Sequence, residues 1–121
     1  DGQLRRLAAR GGVVGVNQTR FLVKEKDAAL EDLLAHVLYV EKYAGPGVAG
    51  LGLDLARPYM EALPRPHAVW RGWDPREEDL LPDYGALEQL TAAMLDAGLG
   101  REAVKGVLGG NFQRFLRGAL P

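Results

Sequence analysis

The sequence predicts an α/β fold organised around a parallel βαβ unit, and three observations carry that prediction. Two uninterrupted apolar runs, residues 13–16 and 48–53, are too short for helices, and each gives way to a polar residue, as strands buried on both faces do. Between them Leu30, Leu33, Leu34, Val37 and Leu38 recur at the spacing of one helical face. Strand, helix, strand in that order implies two parallel neighbours joined by a right-handed crossover. A sheet of only two such strands cannot cover its own edges or faces, so the sheet is expected to continue in something else.

Within residues 3–10, Leu4, Leu7 and Ala8 stand at i, i+3 and i+4 and predict a short helix closed at Gly11-Gly12, where a left-handed cap costs glycine little. The first strand, about residues 12–17, ends at Asn17-Gln18, and a polar stretch leads from there to Lys26. Asp27 is the expected N-cap of the long helix, with Glu31 and Asp32 early in it, where the helix dipole favours negative charge. That helix runs to Ala44 and breaks at Gly45-Pro46-Gly47. The second strand, about residues 48–54, ends at a single charge, Asp54. Residues 45–50 fit the pattern G-x-G-x-x-G, but a phosphate-binding turn follows a strand and opens a helix, and this one does the reverse. It reads as a helix-to-strand turn.

Residues 55–83 are expected to form a long loop: they hold five of the 7 prolines, both tryptophans (Trp70 and Trp73) and a charged cluster at 76–79. Loops of that length are more often functional than idle. Helical periodicity returns over about residues 84–119, through Leu87, Leu90, Met94 and Leu95 to Gly98, then through Val104, Val107 and Leu108. A last helix carries Phe112, Phe115 and Leu116, with Asn111 as its expected cap. There is no internal repeat, and residues 1–121 read as a single segment.

Composition narrows the function. A chain of 121 residues builds one core at most. It contains neither cysteine nor serine, which excludes disulfides, thiolate metal sites and Ser or Cys nucleophiles, so hydrolysis would need a metal, carboxylates or histidine. The two histidines, His36 and His67, form no metal-ligand pair of ordinary spacing, and no metal ligand is assigned in this chain. With 15 basic against 16 acidic residues and no basic stripe, nucleic acid is not an expected partner. No apolar stretch approaches the 18 or so residues of a membrane span, and Asp1-Gly2-Gln3 opens no signal peptide as the sequence is given. The compartment stays open, with an inclination to the cytoplasm.

Asp54 is the leading candidate for chemistry. A lone carboxylate at the C-terminal end of a buried parallel strand stands where α/β barrels and open α/β sheets build their sites, and it could equally serve as a turn-forming or capping residue. Asn17 ends the other strand at the matching edge and His67 lies among the prolines near Trp70; both are candidate substrate contacts, with a turn role the plainer reading of Asn17 and surface decoration an equal reading of His67. His36 reads as a helix-packed, hydrogen-bonded histidine rather than a ligand.

Four stretches in order, residues 11–17, 43–45, 48–54 and 104–112, resemble the C-terminal third of the membrane (renal) dipeptidase family, a likeness that spans nearly the whole chain. The resemblance implies a partial (β/α)8 TIM barrel: the last two parallel strands with their helices and a C-terminal helical segment. It also implies two zinc ions that activate a water to attack a dipeptide's amide carbonyl. Asp54 matches the first Asp of the family's last strand, which lies beside the metals as a proton shuttle and substrate contact. The chain departs from that strand's pattern at Leu53, Ala56 and Arg57, where the family has a small residue, a second Asp and a Gly. His36 and Tyr39 stand at the two histidines of a family Asp-His-x-x-His pattern on the helix. The family's metal ligands come from strands expected to precede Asp1, so this chain alone is expected to be inactive, and its partners are a dipeptide together with the remainder of the barrel. The alternative is a noncatalytic α/β interaction module derived from such a barrel, associating with itself or a partner through its strand edges.

Overall fold

The computed structural model describes residues 1–62 and 78–120. It is an α/β arrangement with a small parallel sheet. In chain order the elements are α1 (Gly2–Ala9), β1 (Val14–Val16), α2 (Arg20–Val23), α3 (Leu30–Ala44), β2 (Ala49–Leu51) and α4 (Arg57–Ala62). A 3-10 turn (Tyr84–Ala86), α5 (Leu87–Asp96), α6 (Arg101–Lys105), a π turn (Gly106–Gly110) and α7 (Asn111–Ala119) follow. The strands pair in parallel in the register Val14 to Ala49, Gly15 to Gly50 and Val16 to Leu51. The bonds Val14 N–H to Val48 O (2.8 Å) and Gly52 N–H to Val16 O (3.0 Å) extend the ladder at both ends.

α3 holds the sheet from one side. Leu33, Val37 and Val40 are its buried stripe and share one core with Val16 and Ala49 of the strands and with Leu90, Met94, Val104 and Val107 of the C-terminal helices. Each Val, Leu or Met among them, fully buried, contributes about 1.5–3 kcal/mol relative to exposure. Alternation along the strands puts Gly15 and Gly50 on the opposite face. There the Phe112 ring of α7 lies against them: a Cβ on Gly50 would stand 2.5 Å from Phe112 Cε2. α7 is fastened where the strands begin, by Asn111 Nδ2 donating to Ala49 O (2.7 Å) and Arg114 Nη2 donating to Gly47 O (2.6 Å).

Four expectations need correction. The strands are three residues each, shorter than the apolar runs, and only β2 is buried through its centre; Gly15 of β1 is exposed, since no described strand flanks it. Asp27 does not cap α3. It lies in the left-handed region (φ 51°), while Ala29 opens the helix and donates its N–H to Asp32 Oδ2 at 3.0 Å. Asn111 does not cap α7 either, because its side chain is spent on the Ala49 carbonyl. The stretch 55–83 is not wholly loop: it contains α4, and residue 79 forms an antiparallel bridge with Thr19. The polar stretch before α3 likewise contains α2, whose Val23 is buried. His67, Trp70, Trp73 and the start of the charged cluster lie outside the described residues. Among the described residues no helix is long and apolar enough to cross a membrane.

Candidate functional site at the strand exits

The chain leaves β1 through a local turn. Asn17 Oδ1 accepts the Thr19 N–H at 2.6 Å, the geometry of an Asx turn, and the residue between them, Gln18, is fully buried. A buried amide needs partners for both its donor and its acceptor. Gln18 Oε1 accepts the Leu81 N–H (2.9 Å) and Gln18 Nε2 donates to Asp79 Oδ1 (2.7 Å). Asp79, 3% exposed, in turn accepts the Ala56 N–H on Oδ1 (3.2 Å) and the Arg57 N–H on Oδ2 (2.6 Å), where α4 begins. One buried carboxylate therefore ties the exits of both strands to the segment returning at 79–81. Three hydrogen-bond donors on its two oxygens are what make the burial of this side chain tolerable.

Asp54 sits within this frame but outside its bonding. It follows β2 in the left-handed region (φ 52°), a conformation Asp tolerates better than most residues. Its side chain is exposed, and among the described residues its carboxylate has no hydrogen-bond partner. The conformation is that of a turn former, and the free carboxylate is able to take and return a proton. Asn17 stands at the exit of the adjacent strand, with its Oδ1 committed to the turn. Beside β1 a cavity of about 220 Å³ is lined by Gly15, Asn17, Leu22, His36, Tyr39 and Val40 among others. His36 is exposed on α3, and its Nε2 donates to the Val23 carbonyl at 2.9 Å, joining α3 to α2. It is hydrogen-bonded as read from the sequence, though not packed into the core.

Gln18 and Asp79 escaped the sequence reading. Gln18 stood in a polar stretch and Asp79 in a charged cluster, which are both surface signatures, and nothing in one sequence couples positions 61 apart. A carboxylate and an amide at strand exits were the available signal.

A parallel βαβ unit with a carboxylate at the C-terminal end of its second strand defines the class of α/β proteins whose sites lie at strand exits. The family model described as membrane dipeptidase (peptidase family M19) matches residues 1–62, just over half of the 121, and takes in α1 through α4 with Asn17 and Asp54. The chain belongs to the membrane dipeptidase family, a family of dipeptide-cleaving hydrolases. The match ends before residues 104–112, whose contribution to the resemblance therefore stands on sequence likeness alone. No curated protein and no solved structure matches the chain.

Proposed function

We propose that this chain, residues 1–121 as one segment, is the C-terminal part of a membrane dipeptidase-like zinc metallohydrolase of the (β/α)8 barrel class, supplying its last two strands. The observation that carries the reading is Asp54: an exposed carboxylate without a partner among the described residues, directly after β2, inside the stretch that the family model covers. The open edges of β1 and β2 support it, since each strand has a single described neighbour and needs another to satisfy its backbone.

In this reading Asp54 accepts a proton from the attacking water as its oxygen adds to the dipeptide's amide carbon. It then passes that proton to the departing amine nitrogen as the C–N bond breaks, so that one water and one dipeptide give two amino acids. Asn17 contacts the substrate through Nδ2, its Oδ1 being held in the turn. His67, which lies outside the described residues, is the second proposed contact. The two zinc ions of the resemblance do not fit here: among the described residues no three His, Cys, Asp or Glu side chains converge to hold a metal ion. The chain's own part in the reaction is proton transfer and positioning.

Two experiments test this. The chain purified by itself binds no stoichiometric zinc and hydrolyses no dipeptide; turnover by the chain alone would overturn the reading. In the complete enzyme Asp54→Asn lowers kcat by about 100-fold or more, and a near-normal rate removes the assigned role. A second reading, a noncatalytic interaction module that associates through its strand edges, is favoured by Ala56 and Arg57 standing where the family has Asp and Gly. Normal zinc-dependent turnover of a complete enzyme containing this chain would eliminate it.

A further inference from the structure

We propose that Asp79 is a positioning residue for Asp54, with Gln18 as its tether, an inference that rests on the reading of Asp54 as the proton-transfer group. Asp54 is suspended between two fixed points, each two residues away. On one side the Gly52 N–H is held by Val16 O at 3.0 Å; on the other the Ala56 N–H is held by Asp79 Oδ1 at 3.2 Å. The Arg57 N–H on Asp79 Oδ2 at 2.6 Å adds a second anchor on the far side. Asp54 holds φ 52° with its backbone anchored on both sides, and Asp79 supplies the anchors on the far side.

Asp79 is itself immobilised. Gln18 Nε2 reaches Oδ1 at 2.7 Å, and Gln18 Oε1 is pinned by the Leu81 N–H, so the carboxylate is referenced to the exit of β1. The result couples the direction of the Asp54 side chain to both strands rather than to β2 alone. Proton transfer depends on the donor–acceptor approach, and a misplacement of about 1 Å costs on the order of 100-fold in rate.

The test is Asp79→Asn in the complete zinc-loaded enzyme. Asparagine keeps an acceptor for Gln18 and the Ala56 N–H but turns an NH2 toward the Arg57 N–H, which loses its 2.6 Å bond. The expected result is a fall in kcat of about tenfold or more with KM little changed and zinc retained. Amide hydrogen exchange at Arg57 should accelerate while that of Leu33 and Val37 in α3 does not. The double variant Asp54→Asn/Asp79→Asn should be no slower than Asp54→Asn alone, which a purely structural role would not produce. If Asp54→Asn is slow but Asp79→Asn is normal, the positioning role is overturned and the reading of Asp54 stands. If Asp54→Asn is itself normal, both fall. Should Asp79→Asn fail to fold, Gln18→Met removes the tether while leaving the carboxylate; an unchanged kcat there overturns the inference, and a lowered kcat at constant KM supports it.

Discussion

A methyl group at Gly50 tests the arrangement of the sheet's second face. An ideal Cβ there would lie 2.5 Å and 2.7 Å from Phe112 Cε2 and Cδ2, and 3.2 Å from Val13 Cγ1. Carbon atoms settle at about 3.5–4.0 Å, so the ring must retreat by roughly 1 Å or the strand must shift. Overpacking of this kind costs about 1–3 kcal/mol, and the two close ring contacts place Gly50→Ala near the middle of that range. At about 4 °C per kcal/mol for a chain of this size the midpoint falls by about 8 °C. Phe112→Ala costs about 2–3 kcal/mol, below the value for a fully enclosed ring because Phe112 is only half-buried. In the double variant the methyl introduced at Gly50 enters the space the ring has left, so the combined cost falls short of the sum by about 1–2 kcal/mol. Thermal and urea unfolding followed by circular dichroism measures all three. Costs that add to within about 0.3 kcal/mol would refute the placement of the ring on the glycine face.

Two further perturbations probe α7 and α3. Asn111→Ala removes the 2.7 Å bond to Ala49 O and leaves a buried carbonyl unpaired, for an expected loss of about 1–3 kcal/mol, read as a lower urea midpoint; no change would mean the carbonyl finds another donor. The Ala29 N–H and the Lys24 ammonium hold the Asp32 carboxyl below its usual value of 3.8, so its stabilising contribution is present above that value and is lost as pH falls through the lower folded pKa. Asp32→Asn therefore lowers the thermal midpoint at pH 7, and the gap from the parent closes under acid; a gap that persists unchanged at low pH would contradict the capping assignment.

How much was legible in the sequence follows from the range over which each signal acts. α3 and the two strands were readable because hydrophobic spacing reports which face is buried without naming what buries it. Asp27 was misread because capping preferences are nearly the same for any Asp before a helix; Asp32, already in the first turn, bonds Ala29 and moves the start to Leu30. Asn111 was misread for a different reason. Its local context is that of a cap, yet the Ala49 carbonyl, 62 positions away, claims its amide. α4 was hidden by Pro58, which disrupts a helix interior but is tolerated in the first turn, where its missing N–H has no intrahelical partner. For the candidate site, Asp54 and Asn17 were singled out by their places at strand ends. Gln18 and Asp79 were not, because their role exists only once the segment at 79–81 has returned to the sheet.

The two ends of the sheet therefore solve different problems with the same backbone. At the entry end side chains of α7 serve stability: Asn111 bonds Ala49 O, Arg114 bonds Gly47 O, and the Phe112 ring packs on the glycine face. At the exit end the buried polar groups, Gln18 and Asp79, are spent on holding backbone N–H groups, and the one carboxylate at the turn is left unengaged among the described residues. Fixing the backbone around a free head group is what proton transfer requires, because a carboxylate already engaged with N–H donors is a weaker base and is not free to move a proton. Asp54 does not cap α4: the position before Arg57 is Ala56, which has no capping side chain, and Asp54 lies two residues further back. Instead a second carboxylate arrives from residue 79 to do that work. That division of labour between two aspartates ties the role proposed for Asp54 to a residue beyond the stretch that the family model matches.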